Sequence, residues 1–184
     1  MKNMIHRQKD IVLDTSDCGK PTSRCRTPGV TYRGRPCDGC NMMGETPHVK
    51  VNTKVLRLDG GNCKSSCLIY VAICTHCSKC YFGKTIQALR DRISGHRSFM
   101  NIFDRKDEVS DENCLAAHVI TQHNVNDSPG FNLSYKFSVV EHVSAPKLLL
   151  TKEQLYINSF RTFRPFGLNT DNPIGLKAQL VSGS

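Results

Sequence analysis

Two apolar, tyrosine-bearing segments at mid-chain constrain this fold more than any other feature. Residues 67–73 form a continuous run with β-branched side chains, the pattern of a buried strand. Residues 80–83 form a second, shorter strand after a tight link. The pair predicts a β-hairpin with Leu68-Ile69-Tyr70 on one arm and Tyr81-Phe82-Gly83 on the other. Residues 86 to about 100 read as a helix with Thr85 as its N-cap. On it Leu89 and Ile93 share one face, and Arg92 and His96 share a neighbouring one. A second helix over 114–123 packs through Leu115, Val119 and the Ala116-Ala117 pair. Residues 134–141 alternate like a third strand, and 145–160 read as a third helix with Pro146 near its start. Residues 164–173 are a turn segment, and the charged stretch 104–112 is an exposed loop. Residues 49–58 alternate as a strand or hairpin. Residues 1–36, rich in Gly, Pro and Arg, read as loop or as ordered by metal. The expected architecture is a compact α/β domain of the α+β type, a small, mainly antiparallel sheet flanked by helices, over 63–173. A cysteine-bearing N-terminal extension, 1–62, precedes it and a short tail, 174–184, follows.

At 184 residues the chain has room for one ordinary domain plus an appendage. Its net charge of +9 is spread over both parts and favours a polyanionic partner, nucleic acid first. Solubility alone is the plainer account of that charge. No apolar stretch approaches the ~20 residues of a membrane span, and the first residues lack the apolar centre of a signal peptide. The ten cysteines are therefore expected in a reducing compartment, as metal ligands or buried thiols rather than disulfides. Cys74-x-x-Cys77 and His118-x4-His123 fit tetrahedral zinc. Forty residues separate the two pairs, far more than in a DNA-reading finger, so this zinc is a structural staple between the hairpin link and the second helix. Cys80 competes as a ligand, and free thiols beside solvated histidines are the alternative. Cys37-x-x-Cys40 is half of a candidate second zinc site, which Cys63 and one of Cys18, Cys25 or His48 could complete. Cys67 and Cys114 read as core thiols.

Five elements occur in order: the two triplets, the run from Thr85 to His96, Glu153-Gln154-Leu155-Tyr156-Ile157, and Pro165-Phe166-Gly167-Leu168-Asn169. Together they resemble the signature of the GIY-YIG nucleases. The cysteines between the triplets, the Asn62-Cys63-Lys64-Ser65-Ser66 lead-in and the 115–123 segment narrow the resemblance to the endonuclease domain of Penelope-like retroelements. It covers roughly 37–172 and is strongest over 62–97 and 150–169. One departure is Leu68, which stands where the family has Gly, a strand position that bears on packing more than on chemistry.

The resemblance implies a GIY-YIG fold and a nuclear, Mg²⁺- or Mn²⁺-dependent DNA endonuclease with structural zinc. Its cut would prime reverse transcription by a polymerase domain in cis or trans on a template RNA. It also implies roles. Tyr70 would accept the proton of the attacking water. A phenol near pKa 10 needs cationic help for that, from Lys84 or Arg92. Tyr81 would support the nucleophile and the scissile phosphate. Arg92 would grip that phosphate with a planar fork, and His96 would share the phosphate or the base role. Glu153 would hold the divalent metal, and Asn169 would close the site by hydrogen bonding. Taken singly, each has a plainer reading: packing tyrosines, a solvated helix face, a surface carboxylate, a turn asparagine. Two other functions share these features: a cellular repair or junction-resolving nuclease of the same superfamily, and a non-catalytic zinc module that binds nucleic acid. No polymerase motif is visible, so the chain reads as a detached domain or fragment.

Overall fold

The computed structural model describes residues 37–103, 108–110 and 112–170. The readings for 1–36 and the tail, and the ligand candidates Cys18 and Cys25, lie outside the described residues. In chain order the elements are α1 (Asp38–Asn41), β1 (His48–Val51), β2 (Lys54–Arg57), β3 (Leu68–Cys74), β4 (Cys80–Thr85), α2 (Leu89–Ser98), α3 (Cys114–His123), α4 (Ser128–Ser134), β5 (Tyr135–His142) and α5 (Leu149–Phe160). The result is a small mixed α/β fold: a modest antiparallel sheet, ordered β4-β3-β5, with helices around it and a separate β1–β2 hairpin.

β3 is central, and its side chains alternate between two apolar clusters, as the period of two in a strand requires. Leu68, Tyr70, Ala72 and Cys74 point into the cluster that holds residues of α2, α3 and α4. Ile69, Val71 and Ile73 point into the cluster shared with the β1–β2 hairpin and α5. A strand covered on both faces needs an unbroken apolar sequence, which is why residues 67–73 show no polar alternation. Leu68 is fully buried, so the residue at the departing position serves as core. Opposite Tyr70 and Ile69, β5 carries one extra residue: Ile69 faces Glu141 and Tyr70 faces Val139. At this bulge Val140 is the extra residue, and it packs in the cluster of Ile69 and Val71 while Val139 packs with Tyr70.

Two expectations about helix ends are corrected. β4 runs on to Thr85, and α2 begins only at Leu89, with Ala88 at its N-cap and no side-chain cap. The Thr85 hydroxyl instead accepts the Gln87 amide at 3.1 Å, closing a local turn. The first amides of α2 are satisfied from afar, Leu89 N–H donating to the Ser65 carbonyl at 2.9 Å and Arg90 N–H to the Cys63 carbonyl at 2.7 Å. α4 was not anticipated, because Ser128-Pro129-Gly130 reads as a turn. Asp127 caps it by accepting the Gly130 amide at 2.6 Å, and Pro129 lies in its first turn, where a missing N–H does no harm. Cys67 and Cys114 are both buried; Cys114 is a free thiol, but Cys67 is disulfide-bonded, so the core-thiol reading holds for Cys114 alone. Among the described residues no helix is long and apolar enough to cross a membrane.

Candidate functional site

Tyr70 rises from the middle of β3, and the antiparallel register sets Gly83 directly across from it. The phenol lies over that glycine. A Cβ on Gly83 would stand 2.5 Å from Tyr70 Cζ and 2.7 Å from Tyr81 Cε1, so the last residue of the second triplet must be glycine for the ring to lie there. Gly83 was quoted in the sequence pattern without a role; its requirement depends on the strand register. Tyr81 shares the same face two residues earlier, its ring centroid 6.1 Å from that of Tyr70. α2 packs over both rings. Its i, i+4 pair delivers two polar groups to the same point: the Tyr70 hydroxyl is 2.7 Å from His96 Nε2, and Arg92 Nε–H donates to the Tyr70 oxygen at 3.2 Å. Arg92 also hydrogen-bonds Tyr81, and His96 meets the Tyr81 ring edge-on at 5.6 Å between centroids.

Burial governs the protonation states here. It pushes both phenols above their ordinary value, although the Arg92 charge and hydrogen bond pull Tyr70 back. Arg92 is itself penalised by burial, but its pairing with the two tyrosines outweighs that and holds the guanidinium charged. Burial, then the charge of Arg92, pushes His96 down to about 3. A neutral His96 with Nδ1–H toward the Glu112 carbonyl, 3.4 Å away, presents Nε2 as an acceptor for the Tyr70 proton.

This depression makes His96 a source of acid sensitivity. Its folded pKa lies below its unfolded value, so the unfolded chain binds the extra proton first. Stability is therefore lost as pH falls from about 6.5 toward 3. Each pH unit in that window removes ~1.4 kcal/mol. Denaturant melts at pH 7 and 5 should show a drop ~2 kcal/mol larger in the wild type than in His96→Gln. Equal drops would show that the imidazole is not held neutral.

Glu153 comes from α5 and is buried. Lys84, on β4, donates to its Oε2 at 2.5 Å. A groove of about 500 Å³ lies between Lys84 and Arg92, lined also by Thr85, Gln87, Lys147 and apolar residues that include Ile86 and Leu149. Its charged lining is entirely cationic, which suits a phosphate. The carboxylate that Lys84 holds is a hard oxygen donor of the kind Mg²⁺ accepts, and Mg²⁺ commonly takes one or two carboxylates and keeps several waters. Glu153 fits as that ligand provided Lys84 releases Oε2. Of the two candidates to assist Tyr70, Arg92 reaches its hydroxyl and Lys84 pairs with Glu153. Asn169 works from the outer edge of β4. Its Oδ1 accepts the Phe82 amide at 3.0 Å and the Thr162 hydroxyl at 2.8 Å, and its Nδ2–H donates to the Phe82 carbonyl at 2.7 Å. It thus pins the backbone between Tyr81 and Gly83, as a positioning residue.

Cys74, Cys77, His118 and His123 meet at the far end of β3, all four ligand atoms within 4.8 Å of one another. Cys74 Sγ is 3.6 Å from His123 Nε2, Cys77 Sγ is 3.3 Å from His118 Nε2, and the two Nε2 atoms are 3.2 Å apart. A tetrahedral zinc with ordinary bond lengths sets its sulfur and nitrogen ligands ~3.5 Å apart and two nitrogens ~3.3 Å apart. The four side chains already stand at those separations. Cys80 is not in this set; its thiol turns to the Ser78 carbonyl and burial pushes it up to about 12. Cys37, Cys40 and Cys63 form a second group, and His48 is not gathered with them. Comparison with known proteins finds no match, whether among family models, curated proteins or solved structures.

Proposed function

We propose that this chain is a metal-dependent DNA endonuclease of the GIY-YIG type, similar to that of Penelope-like retroelements, whose cut supplies the 3′ hydroxyl that primes reverse transcription. The observation that carries the reading is the meeting of Tyr70, Tyr81, Arg92 and His96 beside a cationic groove that is lined by Arg92 and by Lys84, the partner of the buried Glu153. Phosphodiester hydrolysis needs a deprotonated water, neutralised charge in the transition state and help for the leaving oxygen. Tyr70 takes the proton of the attacking water in its phenolate form, which the charge and hydrogen bond of Arg92 favour. The neutral His96, its Nε2 2.7 Å from the Tyr70 oxygen, positions that oxygen as a hydrogen-bond partner. The guanidinium, which lines the groove, grips the scissile phosphate. A divalent cation on Glu153 supplies Lewis-acid polarisation of the phosphate when bound. Two buried phenols and a buried histidine gathered on the half-buried Arg92, which lines the groove, favour catalysis over plain binding.

The test is nicking of supercoiled plasmid by the purified chain. Cleavage is expected with Mg²⁺ or Mn²⁺ and none in excess EDTA; equal cleavage in EDTA, or none with either metal, overturns the reading. Tyr70→Phe and Arg92→Ala should each slow single-turnover cleavage ~10²-fold or more, the scale of losing a general base or a transition-state donor. Wild-type rates in both variants would remove the assigned roles.

A further inference from the structure

Three cysteine sulfurs converge beside the start of α2, in a group separate from Cys74, Cys77, His118 and His123. Cys63 Sγ lies 3.7 Å from that of Cys37 and 3.4 Å from that of Cys40, and all three are mutually within 4.8 Å. A disulfide would bring a pair to ~2.05 Å, and none of the three is in one. Thiolates around a tetrahedral zinc stand ~3.8 Å apart, near the observed values. The local backbone explains the convergence. Cys37 sits at the N-cap of α1, and its carbonyl accepts the Cys40 amide at 2.9 Å, a tight turn that brings both sulfurs to Cys63. Gly39 lies inside that turn, and a Cβ there would stand 3.0 Å from Arg90 Cβ and 3.2 Å from Cys63 Cβ. The turn is therefore pressed against the start of α2. Cys63 itself offers its carbonyl to the Arg90 amide, one of the bonds that replaces the missing side-chain cap of that helix.

We propose that Cys37, Cys40 and Cys63 bind a second zinc ion, which clamps the 37–41 turn and the 62–65 loop onto the first turn of α2. Soft thiolates select zinc over the harder divalent ions; the ion completes its tetrahedron with a fourth donor outside the triad. The clamp holds the loop that caps α2, and α2 carries Arg92 and His96. Only the consequence for cleavage rests on the proposed nuclease function; the metal site stands on its own geometry.

The experiment compares the full chain with Cys40→Ser and Cys63→Ser, purified with zinc. Elemental analysis should find one zinc fewer per chain in each variant than in the wild type. After loading with Co²⁺, the thiolate-to-cobalt absorbance of each variant should fall to the level of a two-thiolate site. Amide exchange at Leu89 and Arg90 should quicken at least tenfold in Cys40→Ser and stay unchanged in Glu153→Ala. Cys63 is buried, so if Cys63→Ser fails to fold, the less buried Cys40→Ser decides. Metal content equal to the wild type, or unchanged cobalt absorbance, overturns the site. A lost zinc in a chain that never nicks DNA leaves the site standing and sinks the nuclease reading alone.

Discussion

Glu153→Ala is expected to abolish DNA cleavage while leaving DNA binding largely intact. The carboxylate is buried and held only 2.5 Å from the ammonium of Lys84, which lines the groove. Removing it deletes the hard oxygen ligand for the divalent cation, whose charge stabilisation in the transition state is worth several kcal/mol. That corresponds to a rate loss of ~10³-fold or more. The same substitution leaves Lys84, Arg92 and Lys147 in the groove, and with the competing anion gone Lys84 turns to phosphate, so affinity should hold or rise slightly. Glu153→Gln keeps the shape and the contact with Lys84 but not the charge, and should fail nearly as badly. Single-turnover nicking beside a filter-binding titration reads both quantities. Cleavage within tenfold of the wild type would mean that Glu153 is a structural partner of Lys84 and nothing more.

Cys77→Ser should do the reverse, lowering stability and activity together. Zinc in such a site contributes ~10–16 kcal/mol of apparent binding free energy, comparable to or greater than the ~5–15 kcal/mol that holds a whole domain together. A zinc ion there would join the β3 end and the β3–β4 link, which bear Cys74 and Cys77, to α3, which bears His118 and His123. Burial, then His123, pushes His118 down to about 4, so it is already the neutral ligand that zinc needs at pH 7. Burial pushes Cys74 up to about 11, so binding must release a thiol proton and tightens as pH rises. The melting temperature of Cys77→Ser should fall by ~10 °C or more, the shift that several kcal/mol produce in a domain of this size. An active, folded preparation without zinc would dispose of the staple.

How much of this was legible beforehand depends on whether the cause was local. β3 could be read because a strand buried on both faces leaves an unbroken apolar run. The grouping of Cys74, Cys77, His118 and His123 could be read because these residues come in two closely spaced pairs, C-x2-C in a tight link and H-x4-H at the end of a helix. The shared placement of Arg92 and His96 follows from helical geometry alone. Thr85 was misread because a hydroxyl before a helical pattern can close a turn as well as cap a helix, and here the strand continues through it. α4 was missed because Pro-Gly favours a turn locally, while the Asp127 cap and the burial of Phe131 favour a helix.

What only the tertiary structure decided are contacts between elements. The sequence by itself determined the strands, most of the helices and the chemical types available: phenols, a guanidinium, a carboxylate and thiols in ligand-like spacing. That the Tyr70 hydroxyl meets His96, that Gly83 must be bare beneath the Tyr70 ring, that Lys84 holds Glu153, and that Cys63 joins Cys37 and Cys40 all depend on the β3–β4 register and on how α1, α2 and α5 dock. Local pattern records which face a side chain takes within its own element, because backbone geometry sets that period. It carries no record of which element will lie opposite, because that is settled by packing and burial summed over the whole core.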